Sequence, residues 1–265
     1  MLPLSDLCRF LDSFAPPTLS EEWDNVGLLV GDVDKQIERV MTCLTITPAS
    51  CAEAVAKGAD LIITHHPLPF KPLRRLTTES TPGRLLLELI HAGIAIYSPH
   101  TAFDSAAEGI NRQLAAGIGL VEIRPLVASP ADAARSLGSG RCGKFAKPLR
   151  LSETAQRLKT FLKIPGLHIV GQDDAFISTA AIACGSGGSF LEHAIEQNLD
   201  LFITGEVSFH TCLEAEANGV NLLLPGHFAS ERFAVERLAD VVAREFPKLS
   251  VWASEDEADP LRWES

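Results

Sequence analysis

Short, unbroken apolar runs alternate along this chain with stretches in which apolar positions recur at helical spacing. Three of the runs, Leu61-Ile62-Ile63, Ile94-Ala95-Ile96-Tyr97 and Leu222-Leu223-Leu224, read as strands covered on both faces. The pattern predicts a β-rich run from Ile37 to Ile46, a helix from Pro48 to Lys57 ended by Gly58, a strand from Asp60 to Thr64, a helix from Pro82 to Ala92 capped by Gly93, and a strand from Ile94 to Ser98. Ser105-Ala106-Ala107-Glu108 has capping-box form and predicts a helix from Ser105 to Ala116. The later part repeats the style. It predicts a helix from Ser152, a strand from Ser178 to Cys184, a helix from Phe190 to Gln197, a strand from Leu199 to Thr204, a helix from Phe209 to Asn218 and a strand from Val220 to Leu224. A helix from Ser230 to Glu245 and a strand from Leu249 to Trp252 follow, ahead of an acidic tail. Such alternation predicts an α/β protein with mixed, largely parallel sheets, whose ligands gather beyond the carboxyl ends of the strands.

The chain also echoes itself. Asp60-Leu61-Ile62-Ile63-Thr64-His65-His66 aligns with Asp200-Leu201-Phe202-Ile203-Thr204-Gly205-Glu206, and a His-x-x-x-carboxylate segment follows each. We read two related α/β halves that bring their strand ends to one shared site; the plainer reading is that βα units resemble one another. On this division, residues 1–125 with about 220–265 form the first domain and about 126–219 the second. The stretch from Leu126 to Lys147, rich in Ala, Ser and Gly, is the expected junction.

The residues just past the predicted strands carry the chemistry. His65-His66, His100-Thr101-Ala102-Phe103-Asp104 and His227-Phe228-Ala229-Ser230-Glu231 each follow an apolar run. Imidazole and carboxylate are the ligands of Zn, Fe, Mn or Co type ions, so a metal site leads. Successive side chains on a strand face opposite ways, so His65 and His66 serve one ion only if the strand has ended, as Pro67 suggests, or serve two ions, one each. The competing reading takes them as ordinary loop histidines, with Asp104 or Ser105 as a helix cap. Two glycine-rich loops, Gly138 to Gly143 and Cys184 to Ser189, are either cradles for a phosphate or ring, or tight turns.

Composition narrows the classes. The net charge of −11 disfavours nonspecific nucleic-acid binding, which rests on Lys and Arg. No apolar run reaches the length of a membrane span. Met1-Leu2-Pro3-Leu4-Ser5-Asp6 lacks the basic and apolar regions of a signal peptide, and the six cysteines have no C-x-x-C spacing. The expectation is reduced thiols and a cytoplasmic location.

Taken in order, Trp23-Asp24-Asn25-Val26-Gly27-Leu28, Thr64-His65-His66-Pro67, the His100 to Asp104 segment, Thr204-Gly205-Glu206 and Gly226 to Glu231 carry a resemblance across nearly the whole chain. The chain resembles the dinuclear-metal-centre family of GTP cyclohydrolase I type 2 homologues, the Nif3-like proteins. The resemblance implies two divalent metal ions (Zn, Fe, Mn, Co or Ni) held by His65, His66, Asp104, His227 and Glu231, with Glu231 bridging. It implies a homohexamer with the sites facing an internal cavity, and a short form without an inserted domain. The family label implies a purine nucleotide whose imidazole ring is opened. Left over from the ligand set, His100 is read as a catalytic acid or base, or as a group that orients substrate. Glu206 and His210 are expected close by. The functional reading is a metal-dependent hydrolase on a small-molecule substrate, with a metal carrier, insertion factor or regulator as the alternative, and a protein whose metals brace an assembly as a third.

Overall fold

The Leu61–Thr64 strand, buried along its length, lies in the middle of a five-stranded sheet ordered Ser250–Ala253, Arg39–Cys43, Leu61–Thr64, Ala95–Ser98, Gly27–Val30. The structure, a computed structural model, describes residues 1–129 and 137–262. The chain divides into two units: Met1–Phe103 with Ala234–Ala258, and Asp104–Phe233 with the residues from Asp259 on. In unit 1 the first four strands of the sheet are parallel, and Gly27–Val30 runs antiparallel against Ala95–Ser98. Helices Pro48–Ala56 and Thr81–His91 make the crossovers that parallel pairing demands. Each starts with a side-chain cap, Thr47 accepting from the Ser50 N–H and Ser80 from the Gly83 N–H, and each has proline in its first turn. Met41, Ile62, Leu86, Leu89 and Ile96 pack between these helices and the sheet. The edge strand Ser250–Ala253 is fastened by the buried carboxylate of Glu53, which accepts from Trp252 Nε1 at 3.1 Å, Ser254 Oγ at 2.6 Å and the backbone N–H groups of Glu255 and Asp256.

Unit 2 holds a six-stranded sheet ordered His168–Val170, Asn221–Leu224, Leu201–Thr204, Phe176–Ala183, Arg141–Arg150, Leu120–Arg124. Parallel pairing is confined to the three strands from Asn221–Leu224 to Phe176–Ala183; the other pairings are antiparallel. Both sheets are mixed, as expected from the sequence, but only that of unit 1 is largely parallel; in unit 2 antiparallel pairings outnumber parallel ones. The reason lies in burial: Leu120–Arg124 and Arg141–Arg150 are partly solvated, which antiparallel strands accommodate.

Two helix starts differ from expectation. The predicted helix from Ser105 is instead the end of one helix, His100–Ser105, followed by a second, Ile110–Gly117. The buried guanidinium of Arg141 breaks the run: Nη2 donates to Ser105 O at 2.8 Å and Ala106 O at 2.7 Å, and Nη1 donates to Gly138 O and Gly140 O, both at 2.7 Å. Likewise the helix expected from Ser230 begins at His227 and runs to Glu245. Of the expected junction from Leu126 to Lys147, residues 130–136 lie outside the described residues. Most of the remainder is strand, Val127–Ala128 pairing with Gly138–Ser139 ahead of Arg141–Arg150. All six cysteines are free, and no described helix is long and apolar enough to cross a membrane.

Candidate metal centre

In unit 1 the sheet delivers three imidazoles to one place. Past the Leu61–Thr64 strand, the His65 and His66 N–H groups donate to Cys43 O and Leu44 O, so the backbone stays fixed beyond the strand. Ser98 Oγ donates to His65 O at 2.7 Å, and Thr64 Oγ1 donates to His66 O at 3.1 Å. The His65 ring centroid lies 5.1 Å from that of His66 and 5.1 Å from that of His100. Each residue offers a ring nitrogen to a group whose atoms lie within 4.8 Å of one another, a donor set that fits a divalent ion of the zinc or iron type. The rings are oriented from behind. His66 Nδ1 lies 2.6 Å from Thr45 Oγ1, and His100 Nδ1 lies 2.7 Å from Asp24 Oδ1.

Asp24 is the organising anion of this set. Its other oxygen accepts from the Thr101 N–H at 3.1 Å and from the Thr101 hydroxyl. Burial pushes its carboxyl up, but the bonds from His100 and Thr101, the His100 charge and the Asn25 N–H outweigh it and hold it down at about 2. These bonds also support an unusual backbone, since His100 sits at φ +26°, a left-handed turn that costs a residue other than glycine about 1–3 kcal/mol.

Unit 2 presents carboxylates and a thiol. His227 opens its helix after Pro225-Gly226, with Gly226 at φ +97° making the turn. One helical turn later, Glu231 is buried and its Oε2 lies 3.2 Å from His227 Nε2. His227 Nδ1 is 3.0 Å from Glu206 Oε1, which also accepts from Ser186 Oγ at 2.8 Å. The bond to Glu231 raises His227 most, burial opposes it, and Glu206 adds to the rise, leaving His227 at about 9. Asp104 Oδ1 accepts from Cys184 Sγ at 3.1 Å. Burial, then the charges of Asp104 and Glu231, push the Cys184 thiol well up, so it keeps its proton and acts as a donor. Gly185 lies at φ +62°, and a Cβ there would come within 2.3 Å of Glu231 Oε1. The glycine of this loop therefore serves close approach to Glu231. The loop leads through a 3-10 turn, Gly188–Phe190, into the short helix Leu191–Glu196. Ser186, Ser189, Glu206, Ser208 and Thr211 border a hydroxyl-rich cleft of about 510 Å³.

The structure thus gathers His65, His66 and His100 in unit 1. In unit 2 it sets Asp104 on Cys184, and His227 between Glu231 and Glu206. His210 is exposed, with its ring 5.8 Å from that of Phe209. Sequence reasoning used Trp23-Asp24-Asn25 as part of the family resemblance, without a role at the site, and it missed Thr45 and Cys184. No local pattern links position 24 to position 100 or 184 to 104.

Mixed α/β units with imidazoles and carboxylates at their strand ends define a class of protein whose side chains could hold a metal ion. Comparison with known proteins narrows that class. The chain belongs to the Duf34/NIF3 (NGG1p interacting factor 3) family, whose profile matches residues 2–260. It is 34% identical over 230 residues to the GTP cyclohydrolase 1 type 2 homolog of Clostridium acetobutylicum, covering 87% of this chain and 85% of that one. It is 34% identical over 264 residues to NIF3-like protein 1 of Drosophila melanogaster, covering 97% and 88%. Among solved structures, Staphylococcus aureus protein SA1388 superposes with a TM-score of 0.89 at 28% identity, covering 99% of each chain.

Proposed function

We propose that this chain is a dinuclear metal-binding protein that works as a metal-dependent hydrolase on a small, nucleotide-like substrate. The ligands in this reading are His65, His66, Asp104, His227 and Glu231, with Glu231 bridging, and His100 is the acid–base group. The observation that carries it is the pairing of two donors, His65 and His66, with a third imidazole, His100, beside them, the three ring nitrogens lying within 4.8 Å of one another. Bound there, two divalent ions would supply Lewis acidity and a water acidic enough to act at neutral pH. The chain's own residues do the rest. Asp24 engages Nδ1 of His100 and leaves Nε2 as the nitrogen that exchanges a proton. Cys184 holds one oxygen of Asp104, and Glu206 holds Nδ1 of His227. Imidazole and carboxylate accept Zn, Fe, Mn, Co or Ni alike. Family resemblance supports a homohexamer within the same reading.

Elemental analysis of the purified protein, followed by a hydrolase screen that includes GTP with and without added Mn or Zn, tests the proposal. The expected result is two ions per chain and metal-dependent turnover. Glu231→Gln should lose at least one ion, and full occupancy in that variant removes the bridging role. His100→Ala should keep both ions while the rate falls about 100-fold or more, the lower end for a positioned acid or base. Full metal content without turnover on any substrate would put a metal carrier or insertion factor in the hydrolase's place.

A further inference from the structure

Large aromatic side chains usually bury most of their surface. Trp23 is 63% exposed and Phe70 51% exposed, yet both sit on fastened chain. Trp23 lies in a turn closed by the Asp24 N–H on Glu21 O at 3.0 Å. Thr101 grips that turn from both ends: its hydroxyl accepts the Glu21 N–H at 3.0 Å, and its own N–H donates to Asp24 Oδ2 at 3.1 Å. The segment before Phe70 is tied to the same turn by Asn25 Nδ2, which donates to Pro69 O at 3.1 Å. The two rings are 6.0 Å apart and tilted by 54°, and they stand 5.9 Å and 6.0 Å from the ring of His100. Two solvent-exposed aromatics are therefore held rigidly at the edge of the imidazole cluster.

We propose that Trp23 and Phe70 form a platform on which a planar heteroaromatic ring stacks beside His100. The proposal rests on the hydrolase reading of the His65–His66–His100 cluster and assigns the part of the substrate that lies next to it. A 6.0 Å separation is too narrow to admit a third ring between the two, because stacked carbons need about 3.5 Å on each side. Because the two planes are tilted by 54°, the incoming ring stacks on Trp23 and meets Phe70 at its edge. After Phe70 the chain alternates exposed charges, Lys71, Arg74 and Arg75, with the exposed Leu73 and Leu76. A ring system is the occupant that the position favours, because both aromatics stand within about 6 Å of the His100 ring, where part of a substrate must lie, and every base has a face to stack. Asp24 joins the two functions, since the same carboxylate holds His100 and pins the turn that presents Trp23.

The test is calorimetric titration of the protein with GMP, AMP and ribose 5-phosphate. Trp23→Ala should weaken GMP and AMP about five-fold or more, the lower end for a lost base–aromatic stack, and should leave ribose 5-phosphate unchanged. Trp23→Phe should restore most of the loss, and Phe70→Ala should weaken the nucleotides in the same direction. Equal nucleotide affinity in wild type and Trp23→Ala overturns the platform. So does equal binding of ribose 5-phosphate and GMP by the wild type. A change of oligomeric state in Trp23→Ala, read by light scattering, also overturns it, because the side chain would then be covered by another copy. Metal content is measured alongside: wild type without metal counts against the hydrolase reading, while nucleotide affinities decide the platform.

Discussion

The strands Leu61–Thr64 and Leu201–Thr204 are held in the same way and finish with different chemistry. Ahead of each, an aspartate carboxylate accepts two N–H groups at the start of the neighbouring strand. Asp60 takes those of Glu38 and Arg39 at 2.8 and 3.0 Å, and Asp200 those of Ser178 and Thr179 at 2.8 and 2.9 Å. At the far end of each, a threonine hydroxyl reaches the adjoining loop: Thr64 donates to Leu44 O and Thr204 to Gly185 O, both at 3.2 Å. Then one strand yields His65-His66 and the other Gly205-Glu206. The cause is crowding. A Cβ at Gly205 would lie 2.7 Å from Gly185 O, 2.8 Å from Ser230 Oγ and 2.9 Å from the His227 Cα, so the first turn of the His227–Glu245 helix occupies the space that His65 enjoys in the other unit. A common frame carries both ends, and the room beyond each strand decides whether an imidazole is displayed there.

The comparison breaks most forcefully at Gly205. Gly205→Ala should destabilise the protein by about 2–4 kcal/mol, as overpacking against backbone does. A urea midpoint within error of wild type would show that the space is not closed. Next, Asp200→Ala and Asp60→Ala should each cost about 0.5–1.5 kcal/mol, the net worth of a typical hydrogen bond, since the freed backbone donors lie largely in reach of water. If one of the pair proves silent in the same denaturation assay, the two strands share topology without sharing the fastening. A smaller effect separates the units by acid. Burial pushes the Glu53 carboxyl up, yet the bonds from Ser254, Lys57 and the Asp256 and Glu255 backbone hold it at about 2, below its ordinary 4.5. A depressed value means the stabilisation is complete above pH 4.5 and is lost as pH falls through about 2. Stability of wild type should therefore decline over that window more steeply than that of Glu53→Gln, and equal slopes would show that Glu53 does not fasten the Ser250–Ala253 edge.

Strands buried on both faces announce themselves, which is why Leu61–Thr64, Ala95–Ser98, Leu201–Thr204 and Asn221–Leu224 were legible as unbroken apolar runs. The strand Arg141–Arg150 hid behind Gly143 and Pro148, and its register against Phe176–Ala183 shifts between Lys144 and Leu149, the stretch that holds the proline. The capping-box form at Ser105 misled because the deciding partner, Arg141, lies 36 residues away. Of the site, the imidazoles and carboxylates were visible because each follows a recognisable strand. The groups that orient them, Asp24, Thr45 and Cys184, act across long sequence separations and leave no local trace.

The parallel pairing of Ser250–Ala253 with Arg39–Cys43, in register from Ser250 on Arg39 to Ala253 on Thr42, has a consequence for biosynthesis. Every strand of unit 2's sheet is available once residue 224 has left the ribosome. The unit that contains the N-terminal residues waits longest, its Arg39–Cys43 edge unpaired on that side until translation has passed residue 253. Newly made chains should therefore acquire protease resistance in the middle of the sequence before the beginning, and chains stalled near residue 245 should offer a bare strand edge to chaperones.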